Sequence, residues 1–277
     1  MIWALKPSAE VLDELIVDEL EKFNTFDIST KCNQKRPFSD IPLIQKLPFT
    51  AYIHRSPTKF VELSLIWDTD KIAESKRMWL MLWFELMFES PARVGDKVLS
   101  YEEVSKLFTK DLIKQSIQIG VSCYYNRFVT LKMKVSSDKY LMLEKWAKIF
   151  MDGLMFDSSR IAVSATKLAA NAVEVKRDGS SVCATLLAST LYKSKSNAHI
   201  YGTIQLEKFH EEIAKKAMSD PDWVVKQLEE LRTLMLSVPV NMHLVCNDSL
   251  IDRTAIDCEQ WSFLNGKCGD HRKELFI

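Results

Sequence analysis

The sequence predicts an α+β fold, with helices packed on one face of a mainly antiparallel sheet. Segments with alternating apolar residues, typical of strands, stand near the start, in the middle and at the end of residues 49–250, and helix-like segments lie between them. Residues 78–89 carry ten large apolar side chains out of twelve, which indicates a helix buried on more than one side. The 277 residues include only seven glycines and eight prolines, which favours long helices over a loop-rich all-β fold.

Two strands and the apolar helix open this predicted module. Residues 50–54 are consistent with a short strand, and residues 60–67 place four apolar side chains on one face and polar ones on the other. The apolar helix is predicted over residues 71–89. Ser90-Pro91 ends it, because the residue before a proline avoids helical geometry.

A capping box and a hairpin come next. Ser100, with Glu103 three residues later, predicts the start of a helix that runs to about residue 112. Residues 116–136 alternate in two runs on either side of a turn near Asn126. This pattern predicts an antiparallel hairpin with one covered and one solvated face.

Helices are predicted over most of the remaining module, before a last strand at residues 238–245. Ser158 or Ser159 is expected to cap one of them, and Asp220 caps the last, with proline at its first position. Residues 193–206 are predicted to be a loop. The predicted helices cover residues 137–151, 158–175, 180–192, 206–218 and 221–235.

The two ends of the chain do not share this pattern. Residues 1–48 are predicted to be a helical arm and linker, with a helix over residues 8–23 that Ser8 caps, followed by a proline-containing stretch. Residues 251–277 show no periodicity and are predicted to be a tail. The α+β module is therefore assigned to residues 49–250.

Composition limits the partners and the compartment. Lys plus Arg and Asp plus Glu each number 37, so no net field attracts nucleic acid or an acidic membrane, and no segment is typical of a membrane span. The apolar run at the N-terminus is too short for a secretory signal, and acids from Glu10 onward argue against a mitochondrial presequence. The six cysteines form no CxxC pair, so we expect reduced thiols, although an even count leaves disulfides open. We expect a cytoplasmic location, with the mitochondrial matrix as the alternative.

Glu85 is the most informative acid, because it stands among the apolar residues of the predicted buried helix. A carboxylate in apolar surroundings must be paired, protonated or functional. The plainest interpretation is that Glu85 meets an arginine or a backbone group at the edge of the helix.

Other candidate sites are weaker. His210-Glu211-Glu212 matches half of an HExxH motif, but Ala214 takes the place of the second histidine, so a solvated helix face is expected. Cys258, Cys268 and His271 offer only three ligands at an unusual spacing.

Nucleophilic and phosphate-binding motifs are absent from the sequence, which contains no GxSxG, Walker or GxGxxG pattern. The run Tyr124-Tyr125-Asn126-Arg127-Phe128 could stack on nucleic acid, but packing at the end of the hairpin explains it better. Lys193–Lys195 is interpreted as a solvated loop. The residues alone therefore predict an α+β domain without a visible active site.

Two local runs, together with the order of elements, carry a resemblance. Residues 60–69, followed by the apolar helix and Glu89-Ser90-Pro91, and the run Val173–Ser181 resemble the pitrilysin and insulysin superfamily of inverted zinc metallopeptidases. The similarity is greatest to the presequence-protease-like branch and covers about residues 45–248. It implies a clamshell of four homologous α+β modules, one of which holds zinc through HxxEH and a downstream glutamate.

The chain departs from that motif at the zinc ligands. Leu82 and Leu86 stand where the two histidines would be, whereas Glu85 matches the general base and Glu174 is the suggested counterpart of the downstream ligand. Leucine offers zinc no electron pair, so the resemblance implies no catalytic residue and no cofactor in this chain. Zinc would be held by the catalytic module of the family.

The resemblance thus implies a non-catalytic module, part of a longer protein, that helps enclose peptide substrates. Its partners would be other modules of the same protein. Two alternatives remain open: a subunit that completes an active peptidase with a partner chain carrying HxxEH, or a protein-interaction module without a peptidase role.

Overall fold

The computed structural model describes residues 49–121, 124–251 and 258–264. Every described residue belongs to one compact unit of the chain. The predicted arm, including the helix over residues 8–23, therefore lies outside the described residues, and so do Cys268 and His271. In the part of the chain that the structure describes, no helix is long and apolar enough to cross a membrane.

Among the described residues, five strands form one sheet and two short ones form a separate hairpin. In the larger sheet the order is β1-β7-β2-β6-β5, and β3 pairs with β4. The strands are β1 (Thr50–Arg55), β2 (Phe60–Asp68), β3 (Ala92–Val94), β4 (Lys97–Leu99), β5 (Lys114–Val121), β6 (Tyr124–Ser136) and β7 (Val240–Cys246).

The helices described are four short and five longer ones. They are α1 (Glu74–Arg77), α2 (Trp79–Met87), α3 (Tyr101–Asp111), α4 (Met142–Lys148), α5 (Ser158–Val175), α6 (Gly179–Leu191), α7 (Asn197–Ile200), α8 (Thr203–Ser219) and α9 (Pro221–Ser237). Ile149–Gly153 continues α4 as a π-helical turn. The predicted α+β class is confirmed.

The sheet is mixed, because one of its pairings is parallel. β7 runs antiparallel to β2 and parallel to β1, whereas β2–β6 and β5–β6 are antiparallel. β1 and β2 are neighbours in sequence and could have formed a hairpin, but β7 lies between them. The prediction of a mainly antiparallel sheet is thus confirmed, with β1 as the exception.

The hydrophobic face of the sheet matches the alternation in the sequence. Val61, Leu63, Leu65 and Trp67 of β2 are at most 1% exposed, and each lies beside a buried residue of β6 in the antiparallel register. The alternate side chains of both strands lie on the other face, where Glu62 and Lys134 form an ion pair at 2.7 Å. Burying one face of these strands fixes their register, since a shift by one residue would exchange the two faces.

The predicted apolar helix is interrupted near its start. Residues 71–89 form the end of a 3₁₀ turn (Thr69–Lys71), then α1 and α2. Ile72 is extended, and its carbonyl oxygen accepts a hydrogen bond from Nε of the buried Arg77 at 3.0 Å. In a continuous helix the Ile72 carbonyl would accept a backbone hydrogen bond, and here the Arg77 side chain supplies the donor instead.

Three helix starts test the predicted caps, and at α9 the predicted Asp220 accepts from the Trp223 N–H at 3.3 Å. At α3, the Glu103 N–H donates to Ser100 Oγ at 3.3 Å and the Ser100 N–H donates to Glu103 Oε2 at 2.9 Å, which confirms the capping box. At α5, the cap is Asp157, whose Oδ2 accepts from the Arg160 N–H at 3.1 Å, so the choice of Ser158 or Ser159 was wrong. A carboxylate oxygen is the stronger acceptor for these helix-terminal N–H groups.

Two segments predicted to be irregular are ordered parts of the fold. Within residues 193–206, the structure places α7 and the start of α8. Within residues 251–277, Cys258–Leu264 forms a 3₁₀ helix whose Trp261 packs edge-on against Phe49, with ring centroids 6.2 Å apart. Trp261 and Leu264 are buried, so this part of the predicted tail belongs to the core.

Candidate functional site

The α2 helix carries Leu82, Glu85 and Leu86, the three residues that the resemblance aligns with HxxEH. Leu82 and Leu86 are completely buried, and they belong to the main hydrophobic core. Their spacing of four residues puts them on one face of the helix, and that face packs into the protein interior. The positions that would grip zinc therefore contribute to packing.

Glu85 lies at the edge of α2 rather than inside the core. Its side chain is 23% exposed and forms an ion pair with Lys167 of α5. Nζ of Lys167 also lies 3.3 Å from Oε1 of Glu89, which follows Glu85 by about one helical turn in the sequence. The expectation of an arginine or backbone partner at the helix edge is corrected to a lysine on a neighbouring helix.

The electrostatics of this group favour a fixed ion pair. Hydrogen bonding to Glu85, with the charges of both carboxylates, raises the pKa of Lys167 above its ordinary value despite some burial. The Lys167 ammonium group is therefore charged at neutral pH and forms a direct ion pair with the Glu85 carboxylate. The Glu85 carboxylate is therefore engaged in an ion pair at the edge of the helix.

Glu174 is seven residues beyond Lys167 on α5 and close to the helix end. Its side chain is 67% exposed, and its carboxylate pairs with Arg177 at 2.8 Å. This is an ordinary surface pair between residues three apart on a helix. Glu174, the suggested counterpart of the downstream zinc ligand, therefore pairs with a residue just beyond the end of its own helix and not with Glu85.

The donor set at this site does not fit catalytic zinc. A catalytic zinc centre needs three protein ligands, whereas the two leucines carry no lone pair and the Glu85 carboxylate is bound to an ammonium group. Over residues 49–121, 124–251 and 258–264, no group of three or more His, Cys, Asp or Glu side chains is placed to hold a metal ion. No step of zinc-dependent hydrolysis can be derived from these residues.

The half-motif at His210 is buried, contrary to the prediction of a solvated face. His210 is 2% exposed on α8, and neither ring nitrogen has a hydrogen-bond partner among the described residues. Burial lowers the pKa of His210 to about 4, so the ring is neutral at pH 7. Phe209 packs edge-on against it with ring centroids 5.4 Å apart.

A buried polar network joins α1, the 3₁₀ turn after β2 and α7, and the sequence did not reveal it. NH1 of Arg77 donates to Asn197 Oδ1 at 3.0 Å and to the Lys195 carbonyl at 2.9 Å. Nδ2 of Asn197 donates to Thr69 Oγ1 at 2.7 Å and to the Asn126 carbonyl at 2.6 Å. The only signal was an arginine inside an apolar helix, which must be paired when buried.

Arg127, in the basic and aromatic run at the hairpin, contacts Asp68 and Phe128. Arg127 forms two hydrogen bonds with Asp68, at 2.8 and 2.5 Å, and its guanidinium lies 5.9 Å from the centre of the Phe128 ring. Although burial alone would raise it, the bonds from Arg127 and from the Asp70 N–H hold the pKa of Asp68 below its usual value. These contacts agree with the interpretation as hairpin-end packing.

A pair of histidines on adjacent strands also escaped the sequence analysis. Nε2 of His54, on β1, lies 3.0 Å from Nδ1 of His243, on β7. Residues 189 positions apart give no local spacing signal. The pair depends entirely on the parallel pairing of the first and last strands.

Solved structures define the class of fold. A conserved protein from Enterococcus faecalis V583 superposes with a TM-score of 0.56 at 15% identity, covering 82% of this chain and 53% of that one. The peptidase M16 inactive domain from Pseudomonas fluorescens gives a TM-score of 0.52 at 14% identity, covering 78% of this chain and 47% of that one. The chain thus has the fold of M16 peptidase-like domains, in agreement with the predicted superfamily at the level of fold.

Curated relatives are much longer than the chain. The uncharacterized protein C05D11.1 of Caenorhabditis elegans is 41% identical over 260 residues, which are 93% of this chain and 26% of the relative. The uncharacterized protein YOL098C of Saccharomyces cerevisiae is 22% identical over 191 residues, 64% of this chain and 18% of the relative. The chain spans about a quarter or less of these relatives. No protein-family model matches the sequence.

Proposed function

We propose that the chain is a non-catalytic module of a larger peptidase-like protein of the presequence-protease-like branch. In that protein it helps to enclose peptide substrates and performs no zinc chemistry at the HxxEH position. Its partners are the other modules of the same protein, and the peptide is held between them.

The replacement of both zinc-binding histidines by completely buried leucines carries the proposal. Leu82 and Leu86 are part of the core, so restoring histidine there would place polar rings in an apolar interior. The ion pair with Lys167 adds a second observation, because it engages the carboxylate that would act as the base.

The exposed surface of α6 supports a role inside a larger protein. This helix contains no charged residue and buries none of its side chains, and Leu186, Leu187 and Leu191 are 53%, 59% and 70% exposed. Apolar patches of this kind are typical of surfaces that pack against another protein part. The much greater length of the curated relatives provides the chain that such packing needs.

Peptide hydrolysis by the purified chain tests the first half of the proposal. The wild-type chain and the E85Q variant would be incubated with unstructured peptides, with added Zn²⁺ or a chelator, and products measured by mass spectrometry. We expect no cleavage by either protein. Chelator-sensitive cleavage that E85Q abolishes would overturn the proposal, whereas cleavage retained by E85Q would point to a contaminating peptidase.

Complementation tests the second half and separates it from the alternatives. The C. elegans relative would be prepared whole and without the region that matches this chain. We expect the whole protein to degrade unstructured peptides and the shortened one to regain activity when the 277-residue chain is added. Binding without any gain in hydrolysis would favour an interaction module without a peptidase role. A separate HxxEH-bearing chain that becomes active only when mixed with this one would favour the two-chain peptidase.

A further inference from the structure

The five-stranded sheet has a second face, opposite the hydrophobic core, whose side chains are half-buried or exposed. On β6, for example, Lys132 lies between Leu131 and Met133, which are 1% and 2% exposed, so its side chain leaves the sheet on the other side. We call this side the open face. From β1 across to β5 it carries Tyr52, His54, Asn241, His243, Val245, Glu62, Ser64, Ile66, Lys132, Lys134, Lys114, Ser116 and Gln118.

The open face is positively charged, although the chain as a whole has no net charge. Three lysines and one glutamate make up its charged side chains when the two histidines are counted as neutral. Glu62 forms its ion pair with Lys134 at 2.7 Å. Lys132 and Lys114 remain without a carboxylate partner among the described residues, so an excess of two positive charges faces outward.

Lys132 lies near the centre of the open face, between two serines. Its register partners are Ser64 on β2 and Ser116 on β5, and side chains directly opposite on neighbouring strands are about 5 Å apart at Cβ. All three side chains are half-buried, and none forms a hydrogen bond with another described residue. One ammonium group and two hydroxyl groups therefore stand in a row with unused donors. This donor set matches a carboxylate, which accepts several hydrogen bonds and is bound most strongly by a charged donor.

Lys114 adds a second ammonium group at a spacing that suits a second carboxylate. It is exposed on β5, two residues before Ser116, which makes it the diagonal neighbour of Lys132. Diagonal neighbours of this kind are about 7–8 Å apart. In an extended peptide, alternate side chains point to the same side and lie about 7 Å apart. Acidic residues at every second position of such a peptide therefore match Lys132 and Lys114 together.

We propose that the open face binds the acidic side chains of an extended peptide segment. Lys132 and Lys114 form the ion pairs, and the hydroxyls of Ser64 and Ser116 donate to the carboxylate at Lys132. This assignment rests on the proposed function, because the bound segment belongs to the enclosed peptide. The enclosed substrate is then an acidic peptide, and the open face is the side of the module turned toward it. The charge of the face favours such a segment over a basic or neutral one.

Fluorescence anisotropy with labelled, unstructured peptides at low ionic strength tests the open face. One peptide has glutamate at every second position, and two others have glutamine or lysine there. We expect the 277-residue chain to bind the glutamate peptide about tenfold more tightly than the glutamine peptide, from two ion pairs that contribute about threefold each. The lysine peptide should bind most weakly, and added salt should remove the preference for glutamate.

Single substitutions assign the binding to these lysines. K132Q and K114Q should each weaken binding of the glutamate peptide about threefold, whereas K132R keeps the charge and should keep the affinity. The matched control is K106Q, which removes one positive charge from an exposed position on α3 and should change nothing. E62Q releases Lys134 from its carboxylate, so it should strengthen binding about threefold, a gain that a purely structural role would not produce. Urea unfolding midpoints show that each variant is folded, and K114Q with E62Q carries the test if K132Q is not.

Equal binding of the glutamate and glutamine peptides would overturn the proposal, and so would a loss in K106Q as large as in K132Q. Amidation of the peptide C-terminus should leave the affinity unchanged, and a large loss would assign the face to a terminal carboxylate instead. Tighter binding of phosphatidylserine-containing vesicles or of oligothymidylate, with the same loss in K132Q, would replace the peptide by another polyanion.

The acidic-peptide surface and the module proposal fail in different ways. The binding measurements use the chain alone and involve no hydrolysis, so an absent preference for glutamate leaves the module proposal to the complementation experiment. If complementation fails while K132Q and K114Q weaken binding of the glutamate peptide as expected, the module proposal falls and the acidic-peptide surface stands.

Discussion

Replacing His210 with leucine should change the pH dependence of folding. The ring is buried on α8 with both nitrogens unpartnered among the described residues, so protonation inside the protein is strongly unfavourable. The unfolded chain carries no such penalty. The unfolded state therefore binds a proton more readily than the folded state, and acid weakens folding through this one side chain.

The size of the effect on the free energy of unfolding follows from the change in the pKa of His210 on folding. The pKa of His210 falls from 6.5 to about 4 on folding. The contribution of the neutral His210 ring to the free energy of unfolding is fully present above pH 6.5. It decreases as the pH falls and is lost near pH 4. Over that whole range it amounts to about 3 kcal/mol, and about 2 kcal/mol of it is already lost at pH 5.

Urea unfolding at pH 7 and pH 5 measures this contribution. H210L should be at least as stable as the wild type at pH 7, because it removes two unpartnered nitrogens from the interior. Its advantage should grow by about 2 kcal/mol at pH 5. The I213V variant on the same helix is the control, since its cost of about 1 kcal/mol comes from packing and should not vary with pH.

A difference between H210L and the wild type that stays constant from pH 7 to pH 5 would refute the reasoning. It would mean that the ring has an unseen hydrogen-bond partner or is reached by water in the folded protein.

Four further variants test other parts of the structure. L86A should lose about 3–5 kcal/mol in urea unfolding because it opens a cavity in the core, whereas E85Q at the exposed helix edge should lose under about 1 kcal/mol; equal losses would contradict the burial pattern. N197A should cost about 1–3 kcal/mol, since Arg77 keeps a buried donor without its acceptor, and an unchanged unfolding midpoint would show that water replaces the amide. W261A should cost about 3 kcal/mol and alter the near-ultraviolet circular dichroism; no change would return residues 258–264 to the status of a tail.

Local patterns were enough to predict most elements of the fold. The capping box at Ser100, the hairpin and the proline start of α9 rest on interactions within a few residues, which the sequence displays directly. The turn predicted near Asn126 was wrong, because β6 already begins at Tyr124 and Asn126 lies inside that strand. The segment 193–206 failed this test, because Asn197 is held by bonds to Arg77 and Thr69 that no local pattern indicates. The same reason explains the end segment, where Trp261 is ordered by packing against Phe49.

The candidate site was predicted in part. The apolar composition of residues 78–89 correctly indicated a buried helix, with leucines at positions 82 and 86 in the core, but it also suggested that Glu85 was enclosed. A helix that is apolar nearly all round can still expose one edge. Lys167, on a helix far along the sequence, forms its ion pair with Glu85 at that edge. Cross-chain partners such as this lysine, or the pair His54 and His243, become visible only when the topology is known.

The position of β7 has a consequence for how the chain is made. β7 is inserted between β1 and β2, so the sheet keeps a gap until residues 240–246 have left the ribosome. During synthesis β1 has no ladder partner among the described strands, and β2 presents an open edge beside its pairing with β6. Closure of such a distant pairing is slow, and unpaired strand edges invite association with other nascent chains. We therefore expect the newly made protein to depend on protection by chaperones until β7 has paired with β1 and β2.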